Sequence, residues 1–127
     1  MANIVFNIAK GRVVELYNRV KSADPANSAL IIVPLSAAAA DATLTDQASL
    51  SAVLAGGSTE QTTMGRKSLA AAALAALPAP DNTNDRYDVS LPTVTWTAAS
   101  GAAIVKLLVC YDSDTTGGTD ANIIPLT

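Results

Sequence analysis

Residues 29–36 read ALIIVPLS, and the fold turns on this stretch. A short run of branched apolar residues bounded by turn formers is too brief for a typical helix and fits a buried strand, which we place from Ala29 to Leu35. Pro34 carries no amide donor, so the strand is expected to lie at a sheet edge or to end there.

Working back towards the N-terminus, KSADPANS (residues 21–28) is a break, because Pro25 disfavours helical geometry at Asp24. Before it, Phe6, Ala9, Val13, Leu16, Tyr17 and Val20 follow the three-and-four spacing of one helix face, with Lys10, Glu15, Asn18 and Arg19 on the other. The spacing predicts a helix from Asn7 to Val20. Gly11 inside it would cost about 1 kcal/mol relative to alanine, and is read as a mark of close packing against another backbone. The opening residues, MANIVF, are apolar and either pack under their own domain or reach to a neighbour.

Working forward, LTDQASLSAVLAGG (residues 44–57) predicts one short amphipathic helix, with Thr45 as its cap, Asp46 in its first turn, Leu50, Val53 and Leu54 inward, and Gly56-Gly57 as its stop. LAAAALAAL (Leu69 to Leu77) suits a helix by alanine's intrinsic propensity. The turn-rich PAPDNTNDR after it and the alternating RYDVSLPTVTWTA beyond suggest a hairpin instead, and on that context the run is read as a strand. Tyr87, Val89 and Leu91 alternate with polar residues, as do Val94 and Trp96, and the phase shifts by one at Pro92; a bulge there would let both halves bury the same face. In SGAAIVKLLVCYD (residues 100–112), Ile104, Leu108 and Cys110 share a face with Lys106. Val105, Leu107, Val109 and Tyr111 form the purer face, which is expected to meet the core. NIIPLT (residues 122–127) reads as an edge strand shortened by Pro125. Together these elements predict a single domain, residues 1–127, of class α+β: a mainly antiparallel, sandwich-like sheet with one N-terminal helix and one short helix.

Chemistry is limited by composition. The 127 residues include no histidine and one cysteine, which removes the usual base of a serine or cysteine nucleophile, histidine-bearing zinc sites and thiolate clusters. Cys110, inside AIVKLLVCY, is read as a small buried hydrophobe rather than a reactive thiol. The net charge of −3, with eight scattered basic residues, offers no cationic stripe for nucleic acid. No apolar run approaches the roughly 20 residues that cross a bilayer, and there is no secretory start, so a soluble chain made in a cytosol is expected.

Carboxylates are the remaining candidates: Asp81, Asp85, Asp88, Asp112, Asp114 and Asp120. All but Asp88 fall in inferred turns, where aspartate bonds to the local backbone. CYDSDTTGGTDAN (residues 110–122) can be laid on a calcium-loop pattern with Asp112, Asp114 and Asp120 at the first, third and ninth positions and Gly117 at the sixth. Thr116 then stands fifth, and Ile123 stands where a bidentate glutamate is needed, so the loop is read as a strand connection, with weak cation binding along Asp112 to Asp120 as the competing reading. Trp96 is read either as a filler of an aliphatic core or as an exposed interface anchor.

Taken in order, MANIVFNIAKGRVVELYNRV, ALIIVPLS, DNTNDRYDVSLPTVTWTA and KLLVCYDSDTTGGTDANIIPLT resemble a family of small virion structural proteins of tailed bacteriophages. The resemblance implies a mechanical role in a virion: a capsid decoration (cement) protein that binds and bridges major capsid subunits on the outer shell, or a minor tail, head-fibre or head-tail component. It implies the major capsid protein and further copies of the chain as partners, with no nucleic acid, no membrane, no cofactor, no metal and no catalytic residues. A small cytosolic ligand-binding domain or enzyme is the contrasting expectation. The proline-bearing strands Ala29 to Leu35 and Asn122 to Leu126, and the N-terminal segment, are the expected contact lines.

Overall fold

The computed structural model describes residues 3–127; Met1 and Ala2, the first part of the apolar opening, lie outside them. The protein is α+β, with helices packed around one antiparallel, curled five-stranded sheet.

Strand β1, Ala29–Ala37, is the centre of this sheet and not its edge. It pairs along its length with β4, Lys106–Asp112, in a register running from Ala29 opposite Asp112 to Leu35 opposite Lys106. On its other side it pairs with two short strands in succession: β3, Lys67–Leu69, opposite Leu30 to Ile32, and β2, Thr59–Glu60, opposite Leu35 and Ala37. Pro34 falls in the gap between them. The N–H and C=O of a strand residue point to the same side, and the Pro34 carbonyl accepts from the Gln61 amide at 2.8 Å. The donorless nitrogen therefore faces the gap and costs the β1–β4 ladder nothing. A central proline is tolerated here because the neighbouring position is split, which the sequence does not announce. β5, Ile124–Pro125, is an edge strand on the far side of β4, as the sequence predicts.

Every residue from Ala29 to Leu35 is buried, so both faces of the sheet are covered. The first face, carrying Leu30, Ile32 and Tyr111, receives α1, Val13–Lys21. The expected single helix from Asn7 is broken: a 3-10 turn at Asn7–Ala9 and α1 are separated by Gly11, whose φ of +77° is left-handed. Nothing lies within 4 Å of where its Cβ would be, so the glycine serves backbone direction and not close packing. Phe6 remains fully buried, its amide bonded to the Leu126 carbonyl at 3.1 Å, which fixes residues 3–6 against their own domain.

Two short helices stand where one was expected. They are α2, Asp41–Thr45, and α3, Leu50–Ala55. Thr45 ends the first of these, and Ser49 caps the second by accepting from the Ala52 amide at 3.2 Å. Leu44, Leu50 and Val53 are fully buried in the core cluster.

The expected core face of β4 is only half met: Tyr111 is buried and Val109 packs against the core, but the opposite face is the more completely buried one. Lys106, Leu108 and Cys110 are buried, whereas Val105 and Leu107 are 45% and 44% exposed. A lysine on a core face counts against burial only while its charge is unpaired; the Lys106 ammonium donates to Asp41 at 2.5 Å, from the start of α2. That partner lies 65 residues away in sequence.

The alanine run is neither a strand nor a regular helix: only Leu69 belongs to β3, Ala71–Ala73 form a 3-10 turn, and the rest is irregular. It is anchored by α1, with the Lys21 ammonium donating to the Leu74 carbonyl at 2.7 Å and the Tyr17 hydroxyl to that of Ala75 at 2.8 Å. Residues 87–96 form no strand either, and an isolated bridge between Asp81 and Arg86 is all that remains of the expected hairpin. Of the two halves expected to bury one face, the second does so with Val94 and Trp96, while in the first only Val89 packs against the core and Tyr87 and Leu91 are exposed.

Candidate functional site

Two regions of the surface carry the chemistry. The first centres on Arg66, just before β3. Its Nε donates to Glu60 Oε1 at 2.8 Å and its Nη2 to Glu60 Oε2 at 2.6 Å; Nη1 and Nη2 reach Asp120 Oδ1 and Oδ2 at 2.6 and 3.0 Å. One planar guanidinium thus takes two carboxylates bidentately, the geometry for which arginine is suited. It ties β2 and the start of β3 to the loop after β4. Hydrogen bonding to Glu60 and then to Asp120 raises the Arg66 pKa, and the same bond from Arg66 holds the Asp120 carboxyl below its usual range.

Beside the clamp lies a cavity of about 280 Å³ lined by Ile31, Arg66, Asp112, Thr115, Asp120 and Ile123, among others. Here the structure brings together two of the sequence-selected carboxylates, Asp112 and Asp120. Both Asp120 oxygens are engaged by Arg66, and one oxygen of Asp112 is engaged within its own loop. Asp112 Oδ1 accepts from the Asp114 amide at 3.0 Å, and Asp114 Oδ1 accepts from the Thr116 amide and hydroxyl at 3.0 and 2.6 Å. The Thr116 side chain and then its amide hold the exposed Asp114 carboxyl below its usual range. A general acid needs a carboxyl held protonated by burial or by like charge; the bonds to Asp114 and Asp120 act in the opposite sense.

Laid on the calcium pattern, the loop folds as a connection from β4 to β5. Asp120 is turned to Arg66, and Ile123 is 4% exposed, in the core cluster. Among the described residues, no three of Cys, Asp or Glu are grouped to hold a metal ion. Gly118 shapes the loop: a Cβ there would stand 2.7 Å from the Asp114 carbonyl and 3.1 Å from both Asp112 carboxylate oxygens.

The other carboxylates form a separate exposed tip. Asp81 accepts from the amides of Thr83 and Asn84 at 3.1 and 3.2 Å and from the Asn84 side chain at 2.7 Å, and the Asn84 side chain is the main cause of its lowered pKa. Arg86 lies 3.0 Å from Asp88 and 3.5 Å from Asp81. Asp85 is exposed beside them, with φ of +52°. Cys110 is fully buried, and loss of hydration pushes its thiol up to about 12, which leaves it a hydrophobe at neutral pH.

The second region is the surface of residues 87–107. Trp96 is half-buried against the core cluster, its Nε1 donating to the Gly65 carbonyl at 2.9 Å and its ring 5.9 Å from the Lys67 ammonium. Elsewhere in the segment, Tyr87, Leu91, Val105 and Leu107 are exposed. A smaller apolar groove of about 120 Å³ lies between α1 and this segment, lined by Val13, Tyr17, Val89, Leu91, Val109 and Leu126. Of the expected contact lines, Ala29 to Leu35 is excluded by its central, buried place; Ile123, Pro125 and Leu126 of the C-terminal line are also buried.

Sequence reasoning missed Arg66 and the 87–107 surface as sites. Glu60 and Asp120 lie 6 and 54 residues from Arg66, so no local spacing marks the clamp. The surface had a signal: from Val89 to Val105 there is no charged residue. No described helix is long and apolar enough to cross a membrane. No family model, curated protein or solved structure matches the chain.

Proposed function

We propose that the protein is a structural protein of a tailed-bacteriophage virion, a decoration (cement) protein that binds and bridges major capsid subunits on the outer shell. The observation that carries this reading is the set of apolar side chains left outward between Leu91 and Leu107: Leu91, Val105 and Leu107 are exposed, and from Val89 to Val105 the chain carries no charge. Arg66, Glu60 and Asp120 beside the 280 Å³ cavity are bonded to one another, which suits a scaffold better than a site that must release and rebind a substrate.

The mechanism is additive burial. Each Å² of apolar surface removed from water contributes about 25 cal/mol before the costs of association. A modest contact repeated over an icosahedral shell stabilises the whole particle through the number of its sites. Leu91, Val105 and Leu107 are the residues this reading places at the contact.

Imaging purified virions tests it. Hundreds of copies over the shell, seated on the seams between capsid subunits, are the expected result. A handful of copies at a vertex or in the tail would move the assignment to a fibre or tail component. Absence from the particle would end the virion reading altogether.

A further inference from the structure

Residues 93–97, TVTWT, behave as a strand that lacks a neighbour. Val94 and Trp96 are half-buried and packed on the core while Thr93, Thr95 and Thr97 are exposed, the period-two alternation of an extended chain. Threonine, valine and tryptophan are also the residue types that strands favour. Yet among the described residues no backbone-to-backbone hydrogen bond involves residues 87–104; only the side chains of Tyr17 and Gln61 reach carbonyls there, at Ser90, Ser100 and Ala102. The main-chain donors and acceptors of Thr93 to Thr97 have no protein partner.

Open strand edges are normally guarded by charge, because an unguarded row of amides and carbonyls recruits another chain. This segment carries no charge between Val89 and Val105. It is sharply bounded instead, by Pro92 before it and by Ala98 after it, whose φ of +52° turns the chain aside.

We propose that Thr93 to Thr97 pairs antiparallel with the same residues of a second copy, about a two-fold axis passing between the two Thr95 residues. The choice of a second copy rests on self-complementarity. That register sets Thr93 opposite Thr97 of the partner subunit, Val94 opposite Trp96 of the partner subunit, and Thr95 opposite Thr95 of the partner subunit. Threonine pairs and aromatic with β-branched pairs are those that stabilise antiparallel ladders, and no like charges meet. A two-fold contact uses one patch twice, so a segment that complements itself needs no other partner.

Sedimentation across a concentration series, with amide exchange resolved by residue, tests the pairing on the whole chain. A dimer is expected, with the amides within residues 93–97 slowing as the dimer forms. Thr95→Lys places two like charges opposite each other at an exposed position, and is expected to raise the dimer Kd by about tenfold or more while leaving the circular dichroism and melting of the monomer unchanged. A protein that stays monomeric at its highest soluble concentration overturns the proposal. So does a dimer whose 93–97 amides stay fast or whose Kd ignores Thr95→Lys, or protection that arises only on a capsid. The capsid reading fails separately: a dimer with no affinity for shells would sink that reading and leave this one standing.

Discussion

The β1–β4 ladder and the segment from Tyr87 to Thr97 are composed alike, of aliphatic and β-branched residues with period-two patterning, and they end in different states. Residues 29–35 find a full-length partner in residues 106–112 and are buried on both faces. Residues 87–97 cover part of one face with Val89, Val94 and Trp96 and form no backbone-to-backbone hydrogen bond among the described residues. Composition and alternation therefore predict a capacity for pairing. Whether a ladder forms depends on a second strand whose register is offered at the same place.

The sharpest way to break that comparison is to truncate matched leucines. Leu108→Ala, at a fully buried position of β4, is expected to lose about 3 kcal/mol in urea unfolding, against less than about 1 kcal/mol for Leu91→Ala on the exposed segment. Similar losses would mean that the segment belongs to the core. Next in size is Gly118→Ala, where the Asp114 carbonyl and Asp112 carboxylate leave no room for a methyl group; about 2 kcal/mol of destabilisation is expected, read by the same method. Asp41→Ala strands the buried Lys106 ammonium and should cost about 1–2 kcal/mol, with Lys106→Met in the same background recovering part of it. Recovery separates a charge penalty from simple loss of packing.

The smallest effect is one of pH. Asp120 is held below its unfolded value by Arg66, so its contribution is fully present above the unfolded aspartate range near pH 4 and is lost as pH falls through the lower folded value. Acid titration of stability should therefore show a shallower decline below about pH 4 in Asp120→Asn than in the parent. Equal declines would show that the clamp contributes no pH dependence.

Much of the sheet was legible because its signals are local. ALIIVPLS and NIIPLT are bounded by turn formers, and both are strands where the sequence places them. The errors share a cause, which is that their resolution depended on distant partners. Pro34 looks like an edge signal until β2 and β3 are seen to leave a gap beside it. Lys106 looks like a solvent residue until Asp41 arrives. Alanine propensity lost to tertiary anchoring at Leu74 and Ala75 by Lys21 and Tyr17. For the candidate site, the turn reading fits Asp114, whose carboxylate accepts from Thr116, but Asp112 closes strand β4 and Asp120 is turned to Arg66, which carried no periodic mark.

The central ladder also dictates when this molecule can acquire its shape. The paired residues Leu35 and Lys106 are separated by seventy intervening residues, 36–105. Closing so long a loop before any reward is gained slows folding. During synthesis, the oily stretch at Ala29 to Leu35 has to wait, without its main companion, until residues 106–112 have left the ribosome. A chain ending before Lys106 therefore cannot form the central ladder, and its apolar run from Ala29 to Leu35 is left without its main partner.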